Sequence, residues 1–382
     1  MIALKDIRAC RAPASAFATI GLFWGSFAAL VPVLKARAGL SDGEFGLALL
    51  VASCGAMAAM ALAPRVEARL RRRAMPVLAV LLAASFLAPG LATGGVGFAL
   101  AMLAASIMSG TLDVVMNARV SLLEAETNRP LMNLNHAIFS FAYTFAAIAA
   151  GLMREAGIAP LTVFAVMGAL TLALTVVMAQ ARDLVASSPD TAGRAPGWGL
   201  LLPGGLIILI AFLSEQATEG WSALHLERGL GAGAAEGALG PAVLGLTMGI
   251  GRLSGQMVAA RLSEALLIRW AALLTAVGAL VAAWAPVLPV AYAGFALLGL
   301  GVSVIAPTAF AWVGRQVPAE HRTRAISRLS MVGFSGFFIG PPLMGLVAEA
   351  AGLPMSFTLV ALLLLFVPLA LEPLVSRAAR LR

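Results

Sequence analysis

Twelve long apolar segments separated by short breaks dominate this 382-residue chain and constrain its fold more than any other feature. Each is close to the length of about 20 apolar residues that an α-helix needs to cross the hydrocarbon core of a bilayer. The sequence therefore predicts an all-α membrane protein with twelve transmembrane helices. The predicted segments are 15–34, 43–63, 74–93, 96–122, 132–153, 159–181, 201–226, 236–260, 265–284, 287–312, 325–349 and 354–375.

The composition supports a membrane protein and excludes other classes. Hydrophobic residues make up 61% of the chain and charged residues 12%, whereas a soluble domain is nearer half apolar and a quarter charged. One or two soluble cores could not enclose so much apolar surface, which excludes a cytosolic enzyme. The sequence has no nucleotide-binding loop, no catalytic triad and no cysteine or histidine spacing typical of a metal site. We expect no enzymatic activity, no cofactor and no metal.

The distribution of positive charge predicts the orientation. The net charge is +8, and with a cytoplasmic amino terminus 21 of the 26 Lys and Arg residues fall in cytoplasmic segments. Because these charges are scattered between apolar segments, membrane orientation is favoured over a nucleic-acid partner. We expect a multi-pass monomer of the inner (plasma) membrane with both termini in the cytoplasm. The basic residues predicted on the other side are Lys35, Arg37, Arg154 and Arg228.

A polar break from Arg182 to Trp198 divides the chain into two similar halves. Residues 21–46 resemble residues 211–237 with a shift of about 190, which pairs Gly39 with Gly229. A repeat of half the chain is typical of transporters built from six plus six helices, and chance similarity of Ala/Gly/Leu-rich helices is the alternative. The predicted organisation is two pseudo-symmetric six-helix bundles, residues 1–181 and 201–382, joined by a cytoplasmic linker, 182–200.

Three acidic residues lie within predicted spans and are the strongest candidates for function. They are Asp113 in span four and Glu215 and Glu219 in span seven. A charge in the middle of a span costs at least about 2.5–3.5 kcal/mol and is therefore expected to face a water-filled cavity. Two carboxylates one turn apart in a low-dielectric site are expected to share a proton. The alternatives are an ion pair between Asp113 and Arg252 and a place for Glu219 at the outer rim.

Other polar and aromatic side chains complete the predicted site. His136 could relay protons to Asp113, and a hydrogen-bonded histidine at a helix end is the alternative. Arg252 is the one basic residue set well inside a span, so an acid or an anionic solute is expected beside it. The tryptophans could stack on a ring-shaped solute or serve as core residues. The predicted solute-binding residues are Trp24, Asn117, Asn135, Tyr143, Gln216, Trp221 and Arg252. His225 and His321 are expected to be solvated at loop edges.

These features predict a secondary active transporter. Without an ATP-binding element, uphill transport has to use an ion gradient, and carboxylates within the spans point to protons, with sodium as the alternative. We expect a small polar organic solute to cross by alternating access in proton-coupled symport. The alternatives are a proton-driven exporter of amphipathic compounds, or drugs, and a non-transporting membrane receptor.

Particular stretches of sequence also resemble a known family. The basic loop Pro64–Arg73 (PRVEARLRRR) takes the place of the G-x-x-x-D-R-x-G-R-R motif of the major facilitator superfamily, but lacks both glycines. Closer similarity to a bacterial, fucose-permease-like branch of that superfamily lies in Ser109–Val120, Asn135–Tyr143, Glu219–Leu226 and Gly336–Leu353. The resemblance implies the twelve-helix facilitator fold and transport of a sugar-like or related solute. Fucose-type symporters use a carboxylate on span four, which Asp113 matches, and another on span one, where this chain has no acid.

Overall fold

The computed structural model describes residues 4–181, 198–259 and 261–380, and the regular structure in these ranges is helical. A short helix, Leu4–Ala9, precedes twelve longer helices, and α12 continues through a π-helical turn, Val367–Leu371, into a terminal helix, Glu372–Arg380. The predicted all-α fold is confirmed. The longer helices are α1 (Arg11–Ala38), α2 (Asp42–Leu70), α3 (Ala74–Leu91), α4 (Gly95–Thr127), α5 (Met132–Glu155), α6 (Pro160–Met178), α7 (Trp198–Leu230), α8 (Ala234–Ala259), α9 (Glu264–Ala283), α10 (Leu288–Arg315), α11 (Ala319–Ala351) and α12 (Leu353–Phe366).

Ten stretches of the described chain are long and apolar enough to cross a membrane. One of them, residues 42–91, contains both α2 and α3, which a three-residue 3₁₀ turn joins. Helix α8 is not among the ten, because its glycines and Arg252 lower its hydropathy. The first eleven predicted segments nevertheless correspond to one helix each, and the twelfth spans α12, the π-helical turn and the start of the terminal helix.

Several helices are longer than the apolar segments that predicted them. Helix α2 continues to Leu70 and α4 to Thr127, beyond the predicted ends at residues 63 and 122. Hydropathy marks only the part in contact with hydrocarbon, whereas Arg, Glu and Ala continue the helix into water. The predicted linker stays a prediction, because residues 182–197 lie outside the described ranges and α7 begins at Trp198.

The turn that joins α1 to α2 is repeated in the second half. Helix α1 ends at Gly39, whose φ of +67° suits glycine, and Ser41 begins α2 with a capping box that includes Glu44. Helix α7 likewise ends before Gly231, which also has a φ of +67°. By backbone conformation, the counterpart of Gly39 is therefore Gly231, two residues beyond the predicted partner Gly229. The prediction chose the wrong one of two nearby glycines.

The two halves meet along two seams, α2 against α11 and α5 against α8. Glycines allow close approach at both: a Cβ on Gly46 would lie 2.5 Å from the Pro341 oxygen, and one on Gly245 would lie 2.7 Å from the Tyr143 ring. In contrast, α4 and α10 make no extensive contact with the opposite half in the described part of the chain. Together with the exposed side chain of Asp113 on α4, this leads us to infer an opening between the halves beside these two helices.

The opening lies toward one end of the bundle. We name this end, where α2, α4, α6, α8 and α10 finish, the basic face, because most arginines lie there. Along the α2–α11 seam, the hydrogen bond nearest this face in the described chain runs from Ser53 Oγ to the Phe337 oxygen, at 2.9 Å.

Polar contacts close the other end, which we name the opposite face. Arg228 donates to both oxygens of Asp42 at 2.8 and 3.0 Å, and the backbone of Gly43 donates to Glu349 at 2.6 Å. Arg154 forms an ion pair with Glu227. We name these three inter-half contacts the polar clasp.

The clasp also explains the exceptions to the predicted charge distribution. Arg154 and Arg228 belong to it, and Lys35 bonds Asp42 at 2.9 Å. Arg37 donates to the Gly90 oxygen at 3.0 Å. All four basic residues predicted on this side are therefore held by specific partners.

Candidate functional site

Asp113 lies on the wall of the opening that α4 provides. Ser109 and Asn117, one turn to either side, share its helix face. Trp24 of α1 donates its indole N–H to Ser109 Oγ at 2.8 Å, whereas Gly110 packs against α2. Asp113 therefore points between α1 and α2, toward the opening, and its side chain is exposed.

The Asp113 carboxylate has an amide as its hydrogen-bond partner. Asn117 Nδ2 donates to Asp113 Oδ1 at 3.1 Å and to the Asp113 backbone oxygen at 2.8 Å. Across the ranges that the structure describes, Asp113 has no ion pair. Such a carboxylate can take up and release a proton through the water that reaches it.

A second polar cluster lies where α5, α7 and α8 meet. Arg252 of α8 pairs with Glu215 of α7 at 3.1 Å, and both side chains are 15% exposed. Arg252 also donates to Ser140 Oγ at 2.6 Å and to the His136 backbone oxygen at 3.4 Å. The partner of Arg252 is therefore Glu215, and the predicted alternative of an ion pair with Asp113 is wrong.

Glu219 belongs to this cluster and is half-buried, one turn above Glu215. Tyr143 of α5 is fully buried beside both carboxylates, and its hydroxyl has no hydrogen-bond partner among the described residues. Two acids thus face one guanidinium, Arg252. Because an unpaired buried charge is costly, the cluster is suited to hold one proton.

Sequence reasoning missed a group of three stacked phenylalanines on α7 and α11. Phe212 of α7 stacks on Phe334 and Phe337 of α11, with ring centroids 5.4 and 4.8 Å away and interplanar angles of 8° and 21°. All three are half-buried. We name this group the aromatic wall. The only signal in the sequence is the spacing of Phe334 and Phe337, which places them on one side of a helix.

Comparison with known proteins identifies the family. The sequence profile of the Major Facilitator Superfamily matches residues 14–288 and 206–380. The chain belongs to the Major Facilitator Superfamily. It is 30% identical over 360 residues to an uncharacterized MFS-type transporter of Yersinia pestis, with 92% of each chain covered. It is 28% identical over 339 residues to the membrane protein MosC of Rhizobium meliloti, covering 87% of this chain and 82% of that one.

Solved structures confirm the facilitator fold. A mutant form of the nucleoside transporter NupG superposes with a TM-score of 0.77 at 12% identity and covers 96% of this chain and 99% of its own. A D-xylose-proton symporter has a TM-score of 0.75 at 14% identity, with coverages of 96% and 97%. The chain is thus a Major Facilitator Superfamily transporter, and the fucose-permease-like branch stays a prediction.

The remaining predicted residues of this facilitator occupy different environments. Trp24, Gln216 and His136 are half-buried. Asn135 is fully buried and donates to the Leu131 oxygen at 2.8 Å, and Trp221 is fully buried. Neither Asn135 nor Trp221 reaches the opening in this conformation.

Trp221 instead lies where the halves meet. Its ring packs edge-on against Phe45 of α2, with centroids 5.3 Å apart. The alternative of a core aromatic therefore describes its present position. His225 also differs from the prediction: it is 3% exposed and its Nε2 lies 2.9 Å from the Ala282 oxygen.

The basic loop of the facilitator contains an ion pair that the sequence did not reveal. Glu67 lies 3.8 Å from Arg119 of α4, which is buried. Arg71 has a φ of +51°, and it is exposed together with Arg72 and Arg73. The loop thus ties α2 to α4 while it presents positive charge at the basic face.

Proposed function

We propose that this facilitator is a proton-coupled symporter of a small polar organic solute, and that Asp113 is its principal proton-coupling residue. The observation that carries the proposal is an exposed carboxylate in the middle of α4 that lacks an ion-pair partner in the described structure. We further propose that it functions as a monomer in the inner membrane with both termini in the cytoplasm, as the charge distribution predicts.

The coupling follows from the cost of enclosing a charge. With the halves apart, water stabilises the ionised form of Asp113. When they close at the basic face, that water is lost, and an ionised carboxylate without a counter-ion opposes closure. Proton uptake neutralises the carboxylate and so removes this cost of closure. A solute that bonds Asp113 and Asn117 adds favourable contacts to the closed state, so proton and solute travel together.

The cluster of Glu215, Glu219 and Arg252 is proposed as a second proton-binding centre. Arg252 neutralises one carboxylate, and the other can gain or lose a proton as the α5–α8 seam changes. Because Glu215 already occupies Arg252, an anionic solute would have to compete with that carboxylate. This supports a neutral solute, which Asn117, Trp24 and Gln216 can contact through hydrogen bonds and apolar surface. His136 stays the predicted candidate for a proton relay between the cytoplasm and Asp113.

The test is solute-driven proton movement in proteoliposomes that contain a pH-sensitive dye, screened over sugars, polyols and organic acids. We expect a solute of one of these classes to drive proton movement into the vesicles with the wild-type protein. Asp113→Asn should abolish this movement and uphill accumulation, and should leave solute exchange nearly unchanged. Glu126→Gln, exposed near the end of the same helix, is the matched control and should behave as wild type.

Other outcomes would contradict the proposal. Proton movement that persists in Asp113→Asn would remove that residue from coupling. Protons that leave as amphipathic compounds enter would favour the exporter, and the absence of any solute flux would favour a non-transporting receptor.

A further inference from the structure

The aromatic wall is a partly exposed apolar surface of α7 and α11, which we infer to face the opening, and the proposed proton coupling does not use it. Close approach of α11 to α7 creates it, because a Cβ on Gly333 would lie 2.5 Å from Ile208. The Phe334 and Phe337 centroids are 6.2 Å apart. Partial exposure leaves ring surface free beyond what the three rings bury against one another.

The wall lies at the same depth as Asp113. With a rise of 1.5 Å per residue, Asp113 is about 27 Å from the start of α4 at the opposite face. Phe212 is about 27 Å from the end of α7 at that face, and Phe334 about 26 Å from the end of α11. One side of the opening is therefore aromatic where the other side carries a carboxylate and an amide.

This arrangement selects for a solute with two kinds of surface. Phenylalanine offers no hydrogen bond, but the face of its ring attracts flat apolar groups and C–H bonds polarised by neighbouring oxygens. Asp113 accepts and Asn117 both accepts and donates hydrogen bonds. A compound that is apolar all round would leave the polar side unsatisfied, whereas an open-chain polyol has no flat face for the rings.

We propose that the aromatic wall of Phe212, Phe334 and Phe337 determines specificity, and that it stacks on the flat face of a small ring with hydroxyl groups at its edge. This inference rests on the proposed function, since it assumes that the solute binds in the opening. Asp113 and Asn117 bond the hydroxyl groups from the opposite side. The proposed solutes are therefore pyranoses and cyclic polyols.

The test compares cyclic compounds with open-chain partners of similar size, using the purified full-length protein. The probes are D-xylose against xylitol, and D-glucose and myo-inositol against D-glucitol, and binding is followed by thermal unfolding over a concentration series. We expect at least one ring compound to raise the melting temperature at concentrations where its open-chain partner has no effect. Phe212→Leu and Phe337→Leu, which keep most of the side-chain volume, should each weaken this binding about tenfold.

Phe145→Leu is the matched control, because Phe145 is 58% exposed on the outside of α5. It should bind the ring compound as wild type does. The proposal is overturned if no ring compound stabilises the protein, if open-chain partners stabilise it equally, or if the Phe212 and Phe337 variants keep wild-type affinity. Because this assay needs no proton gradient, its failure is separate from loss of proton coupling, which the Asp113→Asn experiment measures.

Discussion

Arg252 and Glu215 illustrate how one intramembrane residue can constrain another. The guanidinium on α8 bonds partners on two other helices, Glu215 of α7 and Ser140 and the His136 carbonyl of α5. It therefore fixes α5, α7 and α8 relative to one another as well as balancing charge. A residue of this kind affects stability and transport together, and only a double-mutant cycle separates the two.

We expect Arg252→Gln to lower the free energy of unfolding by about 3 kcal/mol, because Glu215 is then left unpaired beside Glu219. The double variant Arg252→Gln/Glu215→Gln should regain more than half of that loss. Denaturation of the purified protein in mixed detergent micelles measures both. Additive losses in the double variant would show that the ion pair contributes nothing specific.

For individual residues, the sequence predicted the features that depend only on the neighbouring sequence. An acid within an apolar span is visible in any sequence, which is why Asp113 and Glu215 were predicted. Burial of Trp221 and stacking of Phe212 on Phe334 depend on which helices become neighbours. That arrangement is set by tertiary packing, which hydropathy does not encode.

Among the helices, the polar clasp determines which end of the bundle is closed. Its members come from α2, α5, α7 and α11, so each bond joins one half to the other. Sequence patterns predict the helices and their alternation, because both follow from segment length and charge. They do not predict the clasp, because its partners lie far apart in the chain, as Gly43 and Glu349 do.

Arg154→Ala should lower the population of the conformation in which the opposite face is closed. Glu227 would lose its partner at a cost of about 2 kcal/mol, a change of about 30-fold in the ratio of conformations. Spin labels at Ser121→Cys on α4 and Ala311→Cys on α10, in a background without exposed Cys54, report the distance across the opening. We expect an increase in the fraction of molecules with the shorter distance between the two labels.

Arg269→Ala is the matched control for this experiment. Arg269 pairs with Glu372 at 2.7 Å within a single half, so its loss should leave the distance distribution unchanged. An equal shift in both variants would mean that general destabilisation, and not the clasp, moves the helices.

For the whole molecule, orientation follows from charge and helix number. Twelve crossings, as predicted, would place both termini on the side of the basic face, which the charge distribution predicts to be cytoplasmic. Green fluorescent protein fused after Arg382 should fluoresce, since it folds in the cytoplasm, whereas alkaline phosphatase fused there should be inactive. The same pair of reporters inserted after Gly157, between α5 and α6, should give the reverse. Any other pattern would overturn the predicted topology.

The unequal length of the two seams sets the direction in which the halves can separate. Contacts between α5 and α8 extend from Glu155 with Ala235, at the opposite face, to Arg252 with His136, near the basic face. The hydrogen bonds between α2 and α11 in the described chain reach only to mid-depth, at Ser53. A rigid half that stays attached along one edge turns about that edge. We therefore expect a wedge-shaped gap that is widest beside α2 and α11, and a solute path nearer those helices than the central axis.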